Sequence, residues 1–159
     1  MSDPQMPGPD PALRQLDPFV GEWEMEGRTA GSDEANIKGR AAYRWLEGGY
    51  FLEQRIQLDF AGMAQVDSLE LIGYDPETGT FPSHVYSNMS AQPLPYTWLV
   101  DGQSVQISVS YGPLDATFHG GFGPDGHTFG GAWAPNPGAD ESVNVPYEIS
   151  GRRVAANGG

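Results

Sequence analysis

His84, Tyr86 and Asn88 alternate along one short run, and Asp67 lies in the run before it. An imidazole can take up and return a proton near neutral pH, and a phenol or amide can donate a hydrogen bond to a developing oxyanion. Gathered in one cavity, His84 as acid/base and Tyr86 as donor would suit isomerisation, cyclisation or hydration of a small carbonyl compound without a cofactor. The competing account is structural: His84 and Tyr86 satisfy each other or the backbone in a polar patch. Sequence alone favours the structural account, because no motif adds to the catalytic one. The chain has no Gly-x-Ser-x-Gly elbow, P-loop or His-Glu-x-x-His. Its zero cysteines remove a thiolate metal site, a Cys nucleophile and a disulfide scaffold.

These side chains can meet only if the elements around them are strands. In a strand, residues two apart share a face. The composition agrees. Gly 22 and Pro 14 in 159 residues are far too many for long helices, and Phe 7, Tyr 7 and Trp 4 are too many for disorder of the body. Asp10-Pro11 starts a short helix of about one and a half turns, which Pro18 ends. Ten β-like runs follow, at about 21–29, 36–46, 49–60, 64–74, 80–88, 96–101, 103–111, 114–122, 127–134 and 142–154. Turn clusters separate them, among them Asp101-Gly102, Asp125-Gly126 and Asp75-Pro76-Glu77-Thr78-Gly79. A meander of that many strands closes most simply into a barrel, which removes its edges. We therefore expect an all-β protein: a closed antiparallel up-and-down barrel of about ten strands with a short N-terminal helix. Residues 1–9 read as a flexible arm, 10–154 as a single domain and 155–159 as a flexible tail.

Pro18-Phe19-Val20-Gly21-Glu22-Trp23 opens the first strand. Together with Leu46-Glu47-Gly48-Gly49-Tyr50-Phe51-Leu52, Ile72 to Gly79, Pro124-Asp125-Gly126 and Gly131-Ala132-Trp133, it resembles an uncharacterised lipocalin-like family of the calycin superfamily, related to nitrobindin-type barrels. The resemblance spans about residues 12–154. It implies a ten-strand barrel with a pocket, a floor formed by Trp23, and Arg152 or Arg153 stacked on that Trp. It also implies haem as a candidate cofactor, with one of His84, His119 or His127 as axial ligand. Two departures disfavour haem. Met25 stands where the relatives carry Gly, and residues 128–159 contain no His. No cofactor is the expectation.

Alternation assigns the lining. Glu22, Glu24 and Glu26 would be costly inside, so Trp23 and Met25 face inward. By the same rule Tyr43 and Trp45 face inward from the second strand, and Gln54 from the third. The fourth and fifth strands have mixed faces. A four-residue loop closed by Gly79 pairs Asp75 with Thr80, Leu71 with His84, Leu69 with Tyr86 and Asp67 with Asn88. On that register the expected inward set includes Asp67, Leu69, Leu71, His84, Tyr86 and Asn88. Trp98, His119 and Trp133 complete the candidate ligand-binding residues.

The partner expected from this lining is a small, largely apolar or aromatic molecule. The formal net charge of -13 and eight Lys/Arg exclude nucleic acid as a partner, and the acids read as a solvated outer face. No run is long enough for a transmembrane helix and Met1 to Asp10 lacks the pattern of a signal peptide, so we expect no membrane and a cytoplasmic location. A homodimer formed through an outer face is compatible with such a barrel.

Overall fold

The computed structural model describes residues 8–154. The tail at 155–159 and most of the arm, residues 1–7, lie outside the described residues. A 3-10 helix, Pro11–Phe19, comes first. Ten strands follow: β1 (Gly21–Thr29), β2 (Ile37–Trp45), β3 (Leu52–Phe60), β4 (Ala64–Ile72), β5 (Phe81–Ser87), β6 (Leu94–Asp101), β7 (Ser104–Tyr111), β8 (Leu114–Phe122), β9 (Thr128–Pro135) and β10 (Tyr147–Arg153). Each pairs antiparallel with its neighbours, and β1 also pairs with β10, so the sheet closes into a barrel. The expected all-β barrel of ten strands with one short helix is the fold.

The helix is tighter than expected and runs through Pro18. The fixed φ of proline suits a 3-10 helix, and its missing N–H costs one bond. Asp10 caps the start by accepting from the Ala12 N–H at 2.9 Å, and the Val20 N–H closes the end on Asp17 O at 3.0 Å. The last strand starts later than expected, at Tyr147. Residues 136–146 instead form a loop folded back on the β7–β8 turn. The Asn144 amide donates to Pro113 O at 3.1 Å and to Asp140 O at 3.0 Å, and its oxygen accepts from the Asp115 N–H at 2.9 Å.

The helix plugs one end of the barrel. Leu13, Leu16 and Phe19 are buried there. The Phe19 ring stacks on Tyr43 at 5.1 Å and meets Trp98, Phe122 and Phe129 edge-on at 5.4, 4.7 and 5.1 Å. Beneath it lies Trp23, whose Nε1–H donates to Phe19 O at 2.8 Å. Arg153, from β10, stacks its guanidinium 4.4 Å from the Trp23 ring centroid and donates to Val20 O and Pro18 O. Gly21 has to be Gly: its φ is +127, and a Cβ there would sit 2.7 Å from the Arg153 guanidinium. The opposite end, where β1, β3, β5, β7 and β9 finish, is the mouth.

Register in β4 and β5 follows the expectation. Asp75 bridges to Thr80, Leu71 pairs with His84 and Leu69 with Tyr86. Facing is the reverse of the expectation. Leu52, Gln54 and Ile56 point inward from β3 and pair with Ile72, Glu70 and Ser68, so the even-numbered residues of β4 are the inward ones. The length of the β3–β4 turn sets this facing. Ala61 and Gly62 form the β3–β4 turn with φ of +57 and +70, and Met63 N–H closes it on Phe60 O at 2.9 Å. Phe60 nonetheless pairs with Ala64, which leaves Met63 as an extra, 68% exposed residue. An extra residue shifts the side-chain parity of the whole strand.

Candidate functional site

The reversal decides which polar groups lie inside. Ser68, Glu70, Ser83 and Val85 take the inward positions that sequence reasoning gave to Asp67, Leu69, Leu71, His84, Tyr86 and Asn88. Those six lie on the outer face. His84 is exposed and Tyr86 is 48% exposed. Asp67 lines a groove on the outside of β1 to β4, with Arg40 and Arg55. Asn88 bonds the Asp67 N–H at 2.8 Å and Gln65 O at 2.7 Å, which ties two strand ends together. His119 is likewise exposed and lines an outer depression with Arg28 and Glu148. The catalytic arrangement expected of His84 and Tyr86 inside a cavity is therefore not formed.

Inside, a different polar cluster is built across β2 to β6. Glu70 sits opposite Gln54, and Gln54 opposite Tyr43. The Gln54 amide donates to the Tyr43 hydroxyl at 2.9 Å. Glu70 Oε2 accepts from the Ser83 hydroxyl at 2.6 Å and from the Trp98 indole N–H at 2.8 Å. Tyr96, on the strand beside Ser83, completes the group. Glu70 is 5% exposed, so its charged form loses nearly all of its hydration. Burial pushes its carboxyl up to about 7, against the opposing pull of the Ser83 and Trp98 hydrogen bonds. Its charge in turn raises the phenols of Tyr43 and Tyr96, which burial already raises more, Tyr96 to about 12.

Both hydrogen bonds to Glu70 fall on Oε2. Among the described residues none reaches Oε1, yet no fully enclosed side-chain N or O lacks a partner. Oε1 therefore borders space that a water-sized molecule can enter. The same holds for the Tyr96 and Tyr147 hydroxyls. A cavity of about 220 Å³ opens from the mouth and is lined by Phe60, Tyr96, Ala116, Trp133 and Tyr147 among others. Tyr96 thus touches both the mouth and the Glu70 cluster. Around it the rings pack on one another: Phe118 on Phe129 and Trp133 at 5.7 Å each, and Tyr96 on Trp133 at 5.9 Å.

A larger depression, about 570 Å³, lies on the outside of β8, β9, β10 and β1. It is wide open and walled by Glu26, Arg28 and Glu148, of which Arg28 and Glu148 pair with each other at 3.1 Å. Its polar groups are solvated and satisfied, so the enclosed cluster is the stronger candidate.

Of the expected lining residues, Tyr43, Gln54, Trp98 and Trp133 belong to the interior cluster or its mouth. Trp23 and Met25 face inward but serve the floor; Met25 packs against Gly151. Trp45 clasps the helix, with its indole N–H on Asp17 at 2.9 Å and the Arg14 guanidinium 4.4 Å from its ring. Sequence reasoning missed Glu70, Ser83, Tyr96 and Tyr147. Tyr96 was legible, because it shares the alternation of Trp98. Tyr147 was hidden by the overlong last run.

The haem implied by the nitrobindin resemblance does not fit these residues. It requires an axial donor inside, and none of the three histidines supplies one. His84 and His119 point outward, and His127 lies in the exposed Asp125-Gly126 turn. Raised phenols also make Tyr43, Tyr96 and Tyr147 poor tyrosinate ligands. Among the described residues no three or more His, Cys, Asp or Glu side chains converge to hold a metal, and no helix is long and apolar enough to cross a membrane.

A comparison with curated proteins gives no match. The model of one family matches residues 8–110, from just before the helix to the end of β7, and the chain belongs to that family, the proteins of unknown function DUF1579.

Proposed function

We propose that this barrel binds a small, largely apolar or aromatic molecule, which enters through the mouth and is oriented by the Glu70 cluster. The observation that carries the reading is Glu70 itself. A carboxyl in an aromatic interior costs several kcal/mol when ionised and unpaired, and a protein with no use for it would be better served by Gln or Leu. Here one oxygen is held by Ser83 and Trp98 while the other has no protein partner and is not fully enclosed, and Tyr96 links the cluster to the mouth cavity. Such a mostly apolar pocket with a few convergent polar groups is the ordinary form of a small-molecule site. The cavity volume, about 220 Å³, suits one or two rings. The calycin-like opening, Gly21-x-Trp23 under Arg153, supports kinship with ligand-binding barrels.

Titration with 2-naphthalenemethanol, followed by the indole N–H resonances of Trp98 and Trp133, tests this. Saturable shifts at both are expected, and Ala116→Trp, which fills the mouth, should abolish them. If no neutral aromatic probe moves either resonance saturably, or if Ala116→Trp leaves the shifts intact, the proposal fails.

A further inference from the structure

We propose that the bound molecule carries a protonated nitrogen on its aromatic body, and that this nitrogen pairs with Glu70 Oε1. The inference rests on the reading of the barrel as a small-molecule binder and names the chemistry that binder selects.

Three observations lead to it. First, Glu70 has no internal cation. Among the described residues the ion pairs lie elsewhere, on the helix and the outer face, and no Lys, Arg or His pairs with Glu70. Neutral donors from Ser83 and Trp98 satisfy one oxygen only. An ionised, enclosed carboxylate is stable only with a counter-charge, and Oε1 is the oxygen that no protein donor occupies. Second, the surroundings suit an organic cation. Tyr43, Tyr96 and Trp98 lie around the carboxyl, so an aromatic body finds apolar surface beside it while the carboxylate takes the charged nitrogen. An anion would meet no positive group there. Third, the loops around the mouth (30–36, 61–63, 88–93, 112–113 and 136–146) hold Asp33, Glu34, Asp140 and Glu141 but not one Lys or Arg. Their field draws cations to the entrance and repels anions from it.

Pairing has a proton cost that makes it measurable. Glu70 is protonated through much of the range below neutrality, so a cationic ligand has to displace that proton. The groups facing Glu70 are Gln54, Ser83, Trp98 and the phenols of Tyr43 and Tyr96. Both phenols are raised, so neither titrates in that range.

Calorimetry with three indoles of matched ring and different charge tests the inference: tryptamine, tryptophol and indole-3-acetate. Tryptamine is expected to bind at least tenfold more tightly than tryptophol, and indole-3-acetate more weakly than either. At pH 6 the heat of tryptamine binding should vary with the ionisation enthalpy of the buffer, reporting proton release, while that of tryptophol should not. These readouts need no variant. In Glu70→Gln, checked for folding by circular dichroism, the advantage of tryptamine over tryptophol should disappear. Equal binding of tryptamine and tryptophol, no proton release, or a preference that survives in Glu70→Gln overturns the inference and leaves the binder reading standing. If none of the three binds the wild-type protein, the binder reading falls and this inference with it.

Discussion

Glu70 is the residue on which the interior turns, and its protonation should be visible in stability. Unfolded, its carboxyl titrates near the ordinary 4.5; folded, burial holds it at about 7. The folded chain then binds the extra proton between those values, so this group's favourable contribution is complete below pH 4.5 and is lost as pH rises through 7. Ionising it in place costs about 3 kcal/mol. Thermal melts of wild type and Glu70→Gln from pH 4 to 8 should therefore diverge, with the wild type losing several degrees relative to the variant across that window. Parallel curves would mean that Glu70 is not held neutral. His84 makes the contrast: it stands on the outer face, so His84→Ala should change stability by less than about 0.5 kcal/mol and leave ligand binding unaltered. Loss of binding in that variant would restore His84 to the site.

Among the elements, the ten strands and the helix start were legible in the sequence because alternation and turn residues are local signals. The inward faces of β1 and β3 were legible because their charges lie on one side. β4 offered no such contrast: Asp67, Leu69 and Leu71 oppose Ser68, Glu70 and Ile72. Its facing was set by whether the preceding turn contains two residues or three, and Met63 is the third. That turn also carries a cost. Ala61 is the one non-glycine described residue with positive φ, +57, a region that penalises a Cβ. Ala61→Gly should stabilise the protein by about 1 kcal/mol in chemical denaturation. No gain would mean that the turn differs in solution. The plug helix is a separate device. Phe19 reaches four aromatic rings in the barrel, and Phe19→Ala should cost about 3–5 kcal/mol. A cost under about 1 kcal/mol would show that the barrel end is sealed without it.

At the scale of the whole molecule, closure is what makes an interior available at all. Every strand lends its backbone to two neighbours, and the β1–β10 ladder from Trp23–Arg153 to Thr29–Tyr147 leaves no edge. The same ladder carries Arg153 to Trp23 and so fixes the floor beneath the helix. Closure depends on pairing and not on the order in which the strands are joined. Truncation after Pro146 removes β10 and exposes the edges of β1 and β9; it should abolish cooperative unfolding and promote aggregation. A circular permutant tests the other half of the argument. With the chain opened at Gly102, in the two-residue β6–β7 turn, and residues 154 and 8 joined by a flexible linker, all ten ladders can form. The permutant should unfold cooperatively and keep the Trp98 and Trp133 indole resonances near their wild-type positions. If it fails to fold, or if the truncated chain keeps a cooperative transition, then the interior is held by the aromatic plug and local hairpins, and the ring of strands is not the unit of stability.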